Sequence, residues 1–140
     1  MSDLRKEQLD EICERQLFHL PYFRGMLRAV EHSLYPQELL VEPILDIGAG
    51  DGHFAWAMLE GKLVDGIDPW LAPLKEARSW SVYRSLSQAN GQELPFSSGQ
   101  FPTAISNSVL EHIPGVQDVL NEVGRCLQPG GHFIFAVPND

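Results

Sequence analysis

The stretch Leu45-Asp46-Ile47-Gly48-Ala49-Gly50-Asp51-Gly52 sets a short apolar strand, an acid near its end and three glycines at alternate positions in direct succession. Few chain geometries accept that order. Alternating glycines let backbone turn sharply from strand into helix and approach another molecule closely, because no Cβ stands in the way. A second apolar run, Leu63-Val64-Asp65-Gly66-Ile67-Asp68, then ends in another carboxylate. A strand, a glycine turn, a helix and a second strand ending in an acid form the first half of a nucleoside-binding α/β layout.

The periodicity extends this layout on both sides. Residues 9–20 place Leu9, Ile12, Cys13, Leu17 and Leu20 on one helical face. Pro21 suits the first position of a second helix, in which Phe23, Met26, Leu27, Val30 and Leu34 recur at spacings of three and four. Tyr35-Pro36 ends it. A helical cap over residues 1–40 is therefore expected, followed by an α/β core over 41–140. In the core the spacing predicts a strand at 44–47, a helix after Gly52 closing at Gly61, and a strand at 63–67. A short helix after Pro69 and a weak strand at 82–86 follow. The second half reads as a strand at 103–107, a helix at about 115–127, and a turn at Gly130-Gly131 into a strand at 133–137. Alternation of this kind argues for a doubly wound, mostly parallel sheet.

The carboxylate of Asp68 accepts hydrogen bonds and donates none, so it suits a vicinal diol such as that of ribose. It also suits the N-cap of the helix after Pro69. The dinucleotide fingerprint Gly-x-Gly-x-x-Gly is a rival reading of the glycines. Here the third glycine falls one residue early, at Gly52, and His53 stands where that fingerprint has a small residue. An ordinary tight turn is the remaining reading of the triplet taken alone.

Further along stand Asn90-Gly91-Gln92-Glu93-Leu94-Pro95-Phe96, Ser106-Asn107-Ser108-Val109-Leu110-Glu111-His112-Ile113-Pro114 and Leu127-Gln128-Pro129-Gly130-Gly131-His132-Phe133-Ile134-Phe135. Together with Asp46, Gly48, Gly50 and Gly52, this ordered set resembles the motifs of class I S-adenosylmethionine-dependent methyltransferases. The resemblance spans about residues 40–138 and is closest to the small-molecule, type 11-like branch. It implies a Rossmann-like methyltransferase fold and S-adenosylmethionine as cofactor. By that resemblance Asp46 meets the cationic methionine end, and Gly48, Gly50 and Gly52 bring backbone to the ligand. Asp68 binds the ribose, and Pro69-Trp70 lie toward the adenine face. Asn90 and Gly91 meet the adenine, and the Asn107 carbonyl faces the methionine amino group. Asn90 replaces the usual Asp, so its amide oxygen would accept without charge assistance; an Asn-Gly turn is the plain alternative. Proline at 102 replaces another usual acid. His112 is the candidate general base for a hydroxyl acceptor, with a structural histidine bonded to backbone as the alternative. His19, Tyr22 and Arg24 are candidate acceptor contacts.

The resembled fold has two further, antiparallel strands, which are not found before Asp140. The fifth strand would then be an apolar edge and a possible homodimer contact, and a truncated chain is the favoured expectation. Nineteen acidic residues against ten basic ones give a formal charge of −9. That balance lacks the footprint of a nucleic-acid binder and suits an anionic membrane poorly. No signal-like or membrane-spanning apolar run is seen, so a cytoplasmic location is the default expectation. Cys13 and Cys126 are isolated and give no metal spacing. The expected function is methyl transfer from S-adenosylmethionine to a small-molecule acceptor. A non-catalytic cofactor-binding or interaction module, and a nicotinamide dehydrogenase, are the alternatives.

Overall fold

The computed structural model describes residues 21–139 and, before them, Glu7, Asp10, Glu11 and Glu14, which are helical. The first predicted helix, Cys13 and His19 otherwise lie outside the described residues, as do the side chains of Tyr22 and Arg24. The chain divides into two compact units, residues 1–37 and 38–140. In the first, helix α1 spans Tyr22–Leu34. Tyr35 ends it in extended backbone, as expected for a residue whose successor is proline.

The second unit is a sheet of five strands in the order β3-β2-β1-β4-β5. The strands are β1 (Ile44–Ile47), β2 (Val64–Asp68), β3 (Tyr83–Gln88), β4 (Phe101–Asn107) and β5 (Leu127–Ala136). All four pairings are parallel. The chain steps outward from β1 to β3 and then returns to the other side of β1 for β4, so the order reverses between β1 and β4. Crossovers run through α2 (His53–Leu59), α3 (Leu71–Ala77) and α4 (Val116–Cys126).

Every residue of β1 and β2 is buried, as parallel strands covered on both faces must be. On one face Leu45 and Ile47 join Ile67, Phe101 and Ala104 against Val119, Val123 and Cys126 of α4. The pleat sends Asp46 to the other face. At the β3 edge, burial alone would raise the Asp65 carboxyl. Hydrogen bonds from Arg84 and Ser85 instead hold it below the ordinary carboxylate value, tying β3 to β2.

Two expectations need correction. Gly130-Gly131 does not turn the chain into a short last strand. It lies within the ten residues of β5, where Phe101 pairs with Leu127 but Thr103 already pairs with His132. The extra residues bulge out, and Pro102 occupies the same irregularity on β4. A proline in an interior strand is tolerated there because no ladder hydrogen bond is asked of it. A Cβ on Gly131 would come within 2.9 Å of both the Gln128 and Pro102 carbonyl oxygens, so this bulge requires glycine. The predicted weak strand at 82–86 is a six-residue strand two positions longer at its end.

Candidate functional site

The carboxyl ends of β1, β2 and β4 converge where the strand order reverses, the usual position for ligands in open α/β sheets. Gly48, Gly50 and Gly52 all take positive φ, at 80°, 54° and 80°. The amides of Gly48 and Ala49 both donate to the Ile67 carbonyl, at 2.9 and 2.8 Å. The Gly50 amide donates to Asp68 Oδ2 at 3.0 Å, and the Trp70 amide to Asp68 Oδ1 at 2.9 Å. Asp68 thus fastens the glycine loop to the end of β2. It does not cap α3, whose N-cap position is Trp70 with no side-chain cap. Its bond to Trp70, two residues on, is a local turn. A carboxylate offers about four lone-pair sites, so about two remain after these bonds.

The glycines serve different ends. A Cβ on Gly48 would lie 2.5 Å from the Val109 side chain, so its absence lets the loop after β4 close over the turn. A Cβ on Gly52 would lie 2.8 Å from Ala77 Cα, so this glycine serves the packing of the loop on the end of α3.

A cavity of about 390 Å³ opens above these strand ends. Ile47, Gly48, Ile67, Asp68, Pro69 and Trp70 line it from the ends of β1 and β2. Asn90, Gly91 and Gln92 line it from the segment after β3, and Ser108, Val109, His112 and Ile113 from the segment after β4. Its size falls within the range of small-molecule sites, and it has their mix of apolar walls with few polar groups. Gly91 is buried; a Cβ there would meet Val119 at 3.2 Å, which presses the Asn90 loop onto α4. The Glu93 amide donates to the Asn90 carbonyl at 3.1 Å, so Asn90-Gly91 does form a turn, and that turn borders the cavity. Gln92 Nε2 donates to the Pro114 carbonyl at 3.2 Å, linking two walls. Ser108 holds φ of 55°, a conformation costly for a non-glycine residue. Its amide donates to the Ala136 carbonyl at 2.8 Å, which ties β5 to the site.

Of the predicted residues, Gly48, Asp68, Pro69, Asn90, Gly91 and His112 line the cavity. Gly50 borders it through its bond to Asp68. Gly52 packs behind the loop, and Asn107 ends β4 just short of the lining residue Ser108. His112 closes a short 3-10 turn, Leu110–His112, with its side chain exposed. Its Nε2 stands 3.7 Å from a Glu111 carboxylate oxygen. Asp46 is buried beneath the loop and accepts a 2.6 Å hydrogen bond from the Tyr83 hydroxyl. Burial pushes its carboxyl up to about 6; the Tyr83 bond lowers it and the nearby Asp68 charge raises it. Sequence reasoning missed Tyr83 and gave no role to Val109 or Ser108. The one available signal was a tyrosine in an otherwise small and polar strand. Among the described residues no group of three or more His, Cys, Asp or Glu side chains gathers to hold a metal.

Fold and site together define an α/β domain of the Rossmann-like methyltransferase class. The chain belongs to the family described as "Methyltransferase domain", whose sequence model matches residues 45–135. A tRNA U34 carboxymethyltransferase from Methylococcus capsulatus is 33% identical over 116 residues, covering 76% of this chain and 35% of that protein. A ubiquinone biosynthesis O-methyltransferase from Pectobacterium atrosepticum is 31% identical over 107 residues, covering 72% of this chain and 44% of that protein. An S-adenosylmethionine-dependent methyltransferase structure from Mesorhizobium loti superposes with a TM-score of 0.61 at 29% identity, covering 72% of this chain and 50% of that one. The chain thus spans less than half the length of the curated relatives it matches here.

Proposed function

We propose that this domain binds S-adenosylmethionine and transfers its methyl group to a small-molecule acceptor. The observation that carries the reading is the cavity at the switch point, with the buried Asp68 on its side and the Asn90-Gly91 turn adjacent. The residues present fit the adenosyl group. Asp68 retains acceptor capacity for two ribose hydroxyls, Ile47 and Ile67 offer an apolar lining, and Asn90 offers an amide to adenine. Gly48 lets Val109 close over the turn at the cavity's edge. Asp46 would serve the cationic amino-acid end, together with the Asn107 carbonyl.

When bound, S-adenosylmethionine supplies a methyl group on a positively charged sulfur. This chain then has to align rather than activate. Holding acceptor and methyl in line is worth up to roughly 7–11 kcal/mol by the effective-molarity argument. His112, which lines the cavity and is exposed, would take a proton from a hydroxyl acceptor; an amine or carboxylate acceptor would not need it. Segments that cover the acceptor pocket vary within a fold class, and the family branch favours a small-molecule acceptor.

Calorimetry with S-adenosylhomocysteine and with NAD tests the cofactor, and radiolabelled methyl transfer to a panel of phenols, carboxylates and amines tests the reaction. A parallel arm with bulk tRNA addresses the other acceptor class. Binding of NAD and not of S-adenosylhomocysteine would sink the cofactor reading. Adenosyl binding with no transfer to any class would favour a non-catalytic module, and transfer to tRNA alone would replace the small-molecule acceptor.

A further inference from the structure

The side chain of Asp46 is reached from two strands away. Asp46 lies on β1, opposite Gly66 of β2 in the parallel register. Tyr83 begins β3, on the far side of β2. Its ring crosses β2 over Gly66: a Cβ there would stand 2.7 Å from Tyr83 Cε1 and 2.9 Å from Cδ1. Glycine at 66 thus opens the path along which the phenol reaches Asp46 Oδ2 at 2.6 Å. The bond joins a buried carboxylate to a largely covered hydroxyl. In such surroundings a hydrogen bond to a charged group is worth more than at the surface.

We propose that Tyr83 is a positioning residue of the cofactor site, holding the Asp46 carboxylate charged and fixed in direction through the Gly66 gap. The proposal rests on the reading that Asp46 serves the cationic end of the adenosyl ligand. Tyr83 donates to one oxygen of that carboxylate and leaves lone pairs for an ammonium group. Without the donor, burial and the Asp68 carboxylate both favour the neutral form, which cannot pair with a cation. The groups facing this pair are the carboxyls of Asp68, at the end of β2, and Asp51, in the glycine loop. Burial first, then Asp46, Asp51 and Asp68, raise the Tyr83 phenol above its ordinary value, so it remains a donor across the working pH range.

The test measures affinity for two probes against pH in the intact protein. S-adenosylhomocysteine carries the amino-acid end; 5′-methylthioadenosine lacks it. The unsubstituted protein should lose affinity for S-adenosylhomocysteine as pH falls through about 6, where Asp46 takes up its proton. Tyr83→Phe should move that loss to higher pH and weaken binding at pH 6 by roughly tenfold, with recovery as pH rises further while the ligand's own amino group stays charged. Methylthioadenosine binding should hold steady in both. Asp46→Asn should weaken S-adenosylhomocysteine at every pH and flatten the profile. If Asp46→Asn has that effect and Tyr83→Phe leaves the profile in place, the positioning role is overturned and the role of Asp46 stands. If Asp46→Asn binds both probes normally, the underlying reading fails, and the proposal with it. Should Tyr83→Phe not fold, proton NMR of the unsubstituted protein decides. A slowly exchanging Tyr83 hydroxyl, shifted by S-adenosylhomocysteine but not by methylthioadenosine, supports the proposal. A fast-exchanging hydroxyl, or one indifferent to both ligands, overturns it.

Discussion

Asp68 shows how one side chain can hold a glycine loop together and still line a cavity. Both of its oxygens already bind backbone amides, those of Gly50 and Trp70. Removing the carboxylate should therefore loosen the glycine loop as well as strip an acceptor from the ribose. Asp68→Ala is expected to weaken S-adenosylhomocysteine by roughly ten- to hundredfold, on the scale of hydrogen bonds to a charged group. Asp68→Asn, which keeps one acceptor oxygen, should lose less. Isothermal titration on the folded variants checks both, and an unchanged dissociation constant would leave Asp68 a purely structural fastener. His112 poses a different question, since it lines the cavity and is exposed. With a hydroxyl acceptor, His112→Ala should cut turnover at least about tenfold while cofactor affinity stays nearly the same. Normal turnover in the variant would place proton removal elsewhere.

At the scale of elements, α4 does more than fill the core. Arg125 grips Glu122 with two bonds of 2.8 Å, and donates on to the Phe96 and Leu94 carbonyls at 2.8 and 3.1 Å. Glu122 in turn accepts the Leu94 amide at 2.8 Å. The pair clamps the segment that follows Asn90-Gly91-Gln92, so the helix sets where one cavity wall stands. Bonds from Arg125, then from the Leu94 amide, pull the Glu122 carboxyl down to about 2. A depressed carboxyl contributes in full above its ordinary value near 4.5 and loses that contribution as pH falls from there through about 2. The clamp should therefore hold unchanged above about pH 5. Arg125→Met should speed hydrogen exchange at the Leu94 amide and weaken adenosyl-ligand binding several-fold, with the fold intact. Exchange measured by NMR with and without ligand reads both effects; a protected Leu94 amide in the variant would show that α4 packing alone holds the loop.

Taken as a whole, the domain keeps a buried acid where apolar packing would be more stable. The Asp46 carboxyl sits at about 6 against an ordinary value near 3.8. A raised carboxyl means the folded state binds more protons than the unfolded one between those values, so stability falls as pH rises through that window. Above pH 6 the charge costs the ligand-free domain on the order of 2–3 kcal/mol. Asp46→Asn should therefore raise the melting temperature at pH 7.5 without ligand, yet lose part of the stabilisation that S-adenosylhomocysteine gives. Thermal denaturation at pH 4 and 7.5 tests the sign: the gain should shrink at the lower pH. A variant less stable at both would mean that Asp46 supports the glycine turn more than its charge strains the core.

The sequence by itself determined the local grammar of this protein: the strand, glycine turn, helix and strand from Ile44 to Asp68, and the periodic helices after it. Those features are legible because they depend on residues a few positions apart, and because glycine and a terminal acid have few uses in that order. The resemblance of its motifs to a known family also put Asp68, Asn90, Gly91 and His112 at one site, and all four line one cavity. Tertiary structure alone decided the rest. Asp46 and Tyr83 lie 37 positions apart, and nothing in either segment announces the other. Their meeting depends on strand order, register and the missing side chain at Gly66. The role of Gly52 against Ala77, and the bulge that absorbs Gly130-Gly131 opposite Pro102, are likewise contacts between distant segments. A sequence specifies such contacts only jointly, through the packing of the whole sheet, so they become readable once the strands stand side by side.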